Sequence, residues 1–312
     1  MASGAGAVRA AAAGRLWRGV SAAAAARHES AAFRCAGVLL LAALACRGRD
    51  SENAAAKPSA APRPSPRRVV ALAPSLTEIV FALGAGDTLV GVSEYSDYPE
   101  AARKIPRVGG LEVDPEKVAA LSPDLVLAIA EGRGRASVSA LEGAGIPVAV
   151  LPSGSLDAVL EDIQAVGERL GRRTQAEELV DRLSRRRRAV RESAPKNGPR
   201  TLLLVWPDPP QAAGGGTFLN DVLTETGARN LVGDRSGWPV LSAEYLATAP
   251  VDLLVVPESE QTKGAYERAF REGPLSRGPV SRTRVLRLDE SALTRPGPRV
   301  FDALERLAAA VR

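Results

Sequence analysis

From Val69 onward the chain alternates short apolar runs with stretches of helical period. Val69-Val-Ala-Leu-Ala73 has the length and composition of a buried strand, and Pro74 closes it. Ser75-Leu-Thr-Glu78 follows with the spacing of a capping box, in which a hydroxyl residue caps a helix and an acid three places on reaches back to it. That helix is predicted through Ile79, Val80, Ala82 and Leu83, with Gly84 as its stop. Thr88–Val92 is the next strand. Asp114 before Pro115 predicts another helix, with the aspartate as cap and the proline in the first turn. Strands are then predicted over Asp124–Ile129 and Pro147–Leu151. Strands alternating with helices imply an α/β lobe with a mainly parallel sheet.

Residues 200–312 repeat the alternation. Strands are predicted at Thr201–Val205, Asp252–Val256 and Val285–Leu288, and helices at Phe218–Thr226, Ala243–Ala249 and Pro298–Val311. The two halves share a local pattern. Glu116-Lys-Val-Ala-Ala-Leu-Ser-Pro-Asp124 aligns with Glu244-Tyr-Leu-Ala-Thr-Ala-Pro-Val-Asp252, with a glutamate in a first helical turn eight residues before a strand-opening aspartate. The spacing suggests duplication. Between the halves, Leu156–Gly171 is followed by Thr174-Gln-Ala-Glu177, a second capping box. Ala176, Leu179, Val180, Leu183 and Val190 then form a helical stripe. A helix of some 20 residues is about 30 Å long, enough to bridge two lobes. The Arg185–Arg188 run near its end is expected to be a solvated face.

The amino-terminal segment reads differently. Arg34 precedes the apolar run Cys35–Ala45, which ends at Cys46. Its length fits the core of an export signal and is too short for a membrane-spanning helix. A cysteine placed directly after such a run marks Cys46 as a candidate lipidation site. Arg47–Arg68 is rich in Ala, Pro and Ser, the composition of a tether. The expected organisation is therefore a leader at 1–46, a tether at 47–67, an amino-terminal lobe at 68–152, connecting helices at 153–195 and a carboxy-terminal lobe at 196–312. The location implied is the periplasmic or extracellular face of the cell membrane.

Charge and composition narrow the chemistry. The chain has 312 residues and a formal charge of +5. Removing the five Arg and one Glu of the first 45 residues from the totals of 41 basic and 36 acidic residues leaves 36 and 35. The body is close to neutral, so a nucleic-acid partner is not expected. His28, Cys35 and Cys46 are the only histidine and cysteines. Beyond position 46, imidazole and thiolate metal sites, Ser-His-Asp and Cys-His catalysis and disulfides are all excluded. Gly214-Gly-Gly-Thr217 lacks the lysine of a phosphate-binding loop and reads as a flexible rim. Asp289 and Glu290 are adjacent carboxylates near a strand end, and Glu131–Arg135 reads as another rim loop. Carboxylate chemistry and oxygen-ligand metals survive this exclusion, but no enzyme activity and no resident cofactor or metal is expected.

Leu72-Ala-Pro-Ser-Leu-Thr-Glu78, Ala82-Leu-Gly84, Val90-Gly-Val92, Tyr95-Ser-Asp-Tyr-Pro99, Val108-Gly-Gly110 and Pro123-Asp-Leu-Val126 occur in an order that resembles helical-backbone periplasmic binding proteins. These are the solute receptors of ABC importers for vitamin B12 and iron-siderophore complexes. Trp238-Pro239, Ser242–Ala247 and Arg295-Pro-Gly-Pro-Arg299 continue the match, which covers about residues 68–312. The resemblance implies two similar α/β lobes bridged by one long helix, with ligand held between them. It implies ligand contacts at Tyr95, Trp238 and Arg295, and docking of Glu116 and Glu244 on a membrane permease dimer. Corrinoid-binding members carry aromatics where this chain has Leu111, Ile129 and Gln211. Cobalamin, another corrinoid, haem and a ferric siderophore are thus all candidate ligands.

Overall fold

The computed structural model describes residues 65–110, 112–129, 134–152 and 154–312. The first lobe holds four parallel strands in the order β2-β1-β3-β4: β1 (Val69–Ala71), β2 (Leu89–Val92), β3 (Leu125–Ile129) and β4 (Val148–Leu151). Helices α1 (Pro74–Ala82), α2 (Pro115–Ala120) and α3 (Gly134–Gly143) connect them. In the second lobe β5 (Arg200–Pro207) pairs in parallel with β8 (Leu253–Glu258), and β8 with β9 (Arg284–Asp289). On its other side β5 meets the antiparallel β6 (Pro210–Ala212) and the short parallel β7 (Arg229–Asn230). Helices α6 (Phe218–Glu225), α7 (Ala243–Thr248), α8 (Lys263–Arg271), α9 (Glu290–Thr294) and α10 (Val300–Val311) complete it.

Both faces of each central strand are buried, which explains why the strands read as unbroken apolar runs. Val69 and Ala71 face one core cluster while Val70 faces another with Val108, Val118, Val126 and Leu141. In the second lobe Leu203 and Val255 face the first cluster, whereas Leu202, Leu204, Leu254 and Val256 face a third around Tyr266. The first cluster runs through both lobes, from Val69 and Leu127 to Leu253 and Phe301. The lobes therefore share apolar packing as well as a bridge.

The repeated Glu-to-Asp spacing has a structural counterpart. Asp124 Oδ2 accepts from the main-chain N–H groups of Arg67 (2.9 Å) and Arg68 (3.0 Å), and Asp124 N donates to Arg68 O (2.8 Å). Asp252 Oδ2 likewise accepts from Arg200 N (2.8 Å), and Asp252 N donates to Arg200 O (2.8 Å). Each aspartate thus clasps the entry to its neighbouring central strand. The register is equivalent, Val69 opposite Leu125 and Thr201 opposite Leu253.

Helix α4 (Leu156–Arg169) leads into α5 (Arg173–Ser193). At their crossing a Cβ on Gly167 would stand 2.4 Å from Ala176 Cβ, so only glycine allows the approach. Two local readings need correction. The first helix starts at Pro74 with Ala73 as its cap, so Ser75 caps nothing. At α5 the cap is Arg172, and Glu177 pairs with Arg173 (3.1 Å) instead of reaching back to a threonine. The arginine run also departs from a wholly solvated face. Arg185 and Arg188 are exposed, but Arg187 is buried between Asp157 of α4 (2.5 Å) and Glu225 of α6 (Nε to Oε2, 2.8 Å). Arg186 reaches Asp302 (2.6 Å) and Glu305 (2.7 Å) of α10. Because α5 presents one arginine every residue, the helical turn sends two of the four into the second lobe.

These pairs set an acid limit. Arg187 holds the Asp157 carboxyl below its ordinary range. Burial opposes charge on Glu225, yet hydrogen bonds from Arg187 and Arg191 outweigh it and lower its pKa as well. The Arg200 guanidinium holds Asp252 down to about 2. Each carboxylate contributes stability that is complete above the unfolded carboxylate pKa, near 4, and is lost as pH falls through the folded value. Melting temperature should therefore drop between about pH 5 and pH 2, and Asp252→Asn should flatten part of that drop. Glu225→Ala should cost about 2 kcal/mol in urea unfolding at pH 7, because it leaves the buried Arg187 guanidinium only the exposed carboxylate of Asp157. Arg185→Ala and Arg188→Ala should stay within about 0.5 kcal/mol; similar losses in all three variants would refute the assignment.

Candidate functional site

In open α/β sheets ligands bind beyond the carboxyl ends of the strands, where connecting loops leave a crevice. Here the loops from those ends of the two lobes meet. The segment following α9, Arg295–Arg299, lies on the first turns of α1. A Cβ on Gly297 would stand 3.3 Å from Glu78 Oε2 and 3.5 Å from Ser75 Cα.

Charged groups join the lobes at this seam. Glu78 is buried on α1, and Arg299 grips it with two bonds, Nη2 to Oε1 at 2.6 Å and Nε to Oε2 at 3.0 Å. Arg299 also donates to Ser291 Oγ (2.9 Å), and its guanidinium lies 3.9 Å from the Tyr98 ring centroid. Arg295 contacts Asp97 Oδ1 at 2.5 Å and stands 3.7 Å from Glu78 Oε1. Burial pushes the Glu78 carboxyl above its usual range, and Arg299 and Arg295 pull against that shift. For Asp97 burial also opposes ionisation, but the hydrogen bond and charge of Arg295 prevail and the pKa is lowered.

The loop carrying Tyr95, Asp97 and Tyr98 is held from below. Ser96 Oγ bonds to Thr77 Oγ1 (2.9 Å) and Ser93 Oγ (3.0 Å), all three residues being buried. Arg107 Nη1 donates to the carbonyls of Ser93 (3.0 Å) and Ser96 (2.7 Å). On this pinned backbone Tyr95 is 50% exposed and Tyr98 46% exposed. The arrangement presents two aromatic side chains on a fixed support.

Trp238 belongs to the second lobe and is half-buried against the shared core cluster. Its position depends on close main-chain packing. Gly214 N donates to Gly237 O (2.8 Å), Gly215 N to Arg235 O (2.7 Å), and Gly237 N to Gly215 O (3.0 Å). A Cβ on Gly214 would fall 2.1 Å from Arg235 O, and one on Gly215 2.3 Å from Gly233 O. The glycines expected to form a flexible rim instead form a clasp around the segment that leads to Trp238. Thr217 caps α6 by accepting from Asn220 N (3.1 Å). Gln211, one of the positions lacking an aromatic, uses its amide to hold Trp238 O (3.1 Å).

Tyr95 and Arg295 are brought to one seam through Asp97, two residues from the tyrosine. Arg295 arrives there already paired with carboxylates. Trp238 is placed by its own lobe's loop. Glu116 and Glu244 are both exposed and occupy the second helical position behind caps of the same geometry. Asp114 accepts from Lys117 N (3.1 Å), and Ser242 from Tyr245 N (3.0 Å). Cys46, Leu111 and Glu131 lie outside the described residues, while Ile129 packs against the core at the end of β3. Asp289 caps α9 through Ala292 N (2.7 Å) and Glu290 accepts from Thr262 Oγ1 (3.4 Å), structural duties for both carboxylates. Sequence patterning missed Glu78 and Arg299. Glu78 fits a capping box so well that its spacing conceals a partner 221 residues away.

Residues 69–275 match the family described as "Periplasmic binding protein". The chain is 32% identical over 254 residues to an ABC transporter substrate-binding lipoprotein, YvrC, of Bacillus subtilis, covering 79% of this chain and 80% of that protein. It is 30% identical over 249 residues to a vitamin B12-binding protein of Yersinia pestis, covering 79% and 86%. The solved periplasmic haem-binding protein RhuT from Roseiflexus superposes with a TM-score of 0.72 at 29% identity, covering 78% of this chain and 97% of that one. No helix among the described residues is long and apolar enough to cross a membrane.

The glycine clasp makes a specific prediction. Gly214→Ala should destabilise the fold by about 1–3 kcal/mol, as overpacking against fixed backbone does. It should also shift Trp238 fluorescence, whereas Gly143→Ala, on a first-lobe helix with no atom within 4 Å of its Cβ position, should leave the emission unchanged. Equal emission from the wild type and Gly214→Ala would refute the clasp.

Proposed function

The chain belongs to the periplasmic binding protein family, the solute receptors of ABC importers, and on that premise we propose that it captures cobalamin or a related corrinoid at the lobe seam. The observation that carries this reading is the pinned 93–98 loop, which offers the exposed Tyr95 ring, beside a Tyr98 stacked on Arg299, where the strand-end loops of both lobes converge. Aromatic rings suit a flat macrocycle. The relationship to a vitamin B12-binding protein supports the corrinoid. A haem or ferric-siderophore ligand is the second reading, favoured by the likeness to the haem-binding RhuT and by Ile129 and Gln211 in place of aromatics.

Tyr95 and Trp238 are the proposed ligand contacts, with Arg295 facing the ligand from within its carboxylate pairs. Delivery would require a permease dimer. Glu116 and Glu244, exposed in matching first turns of α2 and α7, are the proposed docking pair. Two carboxylates on rigid helices, one per lobe, suit a two-fold symmetric partner with complementary arginines, and such contacts weaken with salt. Lipidation of Cys46 would tether the receptor to the outer face of the cell membrane. The lipoprotein nature of YvrC supports that anchor.

Titration with cyanocobalamin, cobinamide, haem and ferric siderophores, read by tryptophan fluorescence, tests the ligand. Trp206 and Trp238 both lie in the second lobe and should report occupation of the seam. A corrinoid should bind most tightly, and Tyr95→Ala should weaken it about tenfold, as loss of a stacked aromatic does. Saturable binding of haem alone would transfer the assignment to the second reading. Glu116→Ala with Glu244→Ala should abolish uptake in cells while leaving solution affinity intact; normal uptake would remove the docking pair.

A further inference from the structure

On the reading that the seam receives the ligand, we infer that Asp97 is a charge gate: by neutralising Arg295 it excludes anionic guests and admits neutral or cationic ones. Arg295 is the guanidinium placed to meet a guest at this seam, and it is already engaged. Asp97 Oδ1 stands 2.5 Å away on one side and Glu78 Oε1 3.7 Å away on the other. Arg299 offers no substitute, because Glu78 holds it by two bonds, Asp289 lies 3.6 Å from it and Tyr98 covers its face. Arg103 and Arg107 approach the same loop but donate to the carbonyls of Asp97, Ser93 and Ser96.

A guest carboxylate, phosphate or catecholate that reached Arg295 would stand roughly 5 Å from Asp97, where like charges repel strongly outside bulk water. Removing Asp97 from the guanidinium instead would break a bond between lobes. Asp97 stays ionised at neutral pH because Arg295 lowers its pKa against the effect of burial. The Asp97 side chain is 47% exposed, against 3% for Glu78, so Asp97 is the carboxylate that an incoming ligand meets. The pair therefore acts as a filter on ligand charge, and Glu78 as the fixed counter-ion behind it.

The test compares wild type, Asp97→Asn and Asp97→Glu with three probes of different charge: cyanocobalamin, a cationic ferric trihydroxamate and haem with its two propionates. Wild type and Asp97→Glu should prefer the neutral or cationic probe to haem by at least about tenfold, and Asp97→Asn should shrink that ratio about tenfold through tighter haem binding. A wild-type preference for haem, or equal weakening of every probe in Asp97→Asn, would overturn the gate and leave Asp97 as a lobe brace. If no chelate binds wild type, the ligand reading fails first, and the gate is then read with citrate. Citrate should raise the melting temperature of Asp97→Asn but not that of wild type, and an unchanged Asp97→Asn would refute the gate by itself.

Discussion

A buried carboxylate keeps its charge only if a cation is held against it, and the cations held against Glu78 come from the other lobe. This requirement organises the seam. Glu78 fixes Arg299, Arg299 stacks on Tyr98, and Arg295 crosses to Asp97, so four side chains at the seam gather around one buried carboxylate. Isolated surface pairs contribute little, but a pair this buried is costly to break from either side. The lobes are thus set relative to each other by electrostatics at the strand ends and by apolar packing behind them.

Around that seam the architecture is a doubled unit. Each lobe opens a central strand with an aspartate clasp, caps a six-residue helix with a short polar side chain, and carries an exposed glutamate in that helix's first turn. The bridge α5 is clasped to the second lobe by Arg186, Arg187 and Arg191 and to α4 through the Gly167 crossing. A helix anchored at both ends and sharing one core cluster with both lobes favours a stiff receptor. Such a frame suits a solute-binding protein, because little ordering cost is paid on binding when the scaffold is already fixed.

The site combines two kinds of support. On the first lobe, a hydroxyl chain and Arg107 pin a loop whose aromatic side chains stay exposed. On the second, glycines remove every Cβ that would block the main-chain clasp around the Trp238 segment. The first device leaves no sequence signal beyond ordinary serines and threonines. The second is visible as a glycine run but resembles flexibility, because the letter G marks both freedom and close approach.

The strands, the parallel α/β lobes, the bridging helix and the matching helix starts were legible along the chain. These features are local, set by apolar periodicity, by caps within three residues and by repeated spacing. The resemblance also pointed to Tyr95, Arg295 and Trp238, of which the structure brings Tyr95 and Arg295 to the Asp97 loop. Tertiary structure alone decided which charges meet: Glu78 with Arg299, Asp97 with Arg295, Arg187 with Glu225. Those partners lie between 38 and 221 residues apart, and a charge pair has no period. Glu78 satisfied a local rule by spacing while its bonding was settled by burial, which leaves a carboxylate no solvent and makes a distant guanidinium its best partner.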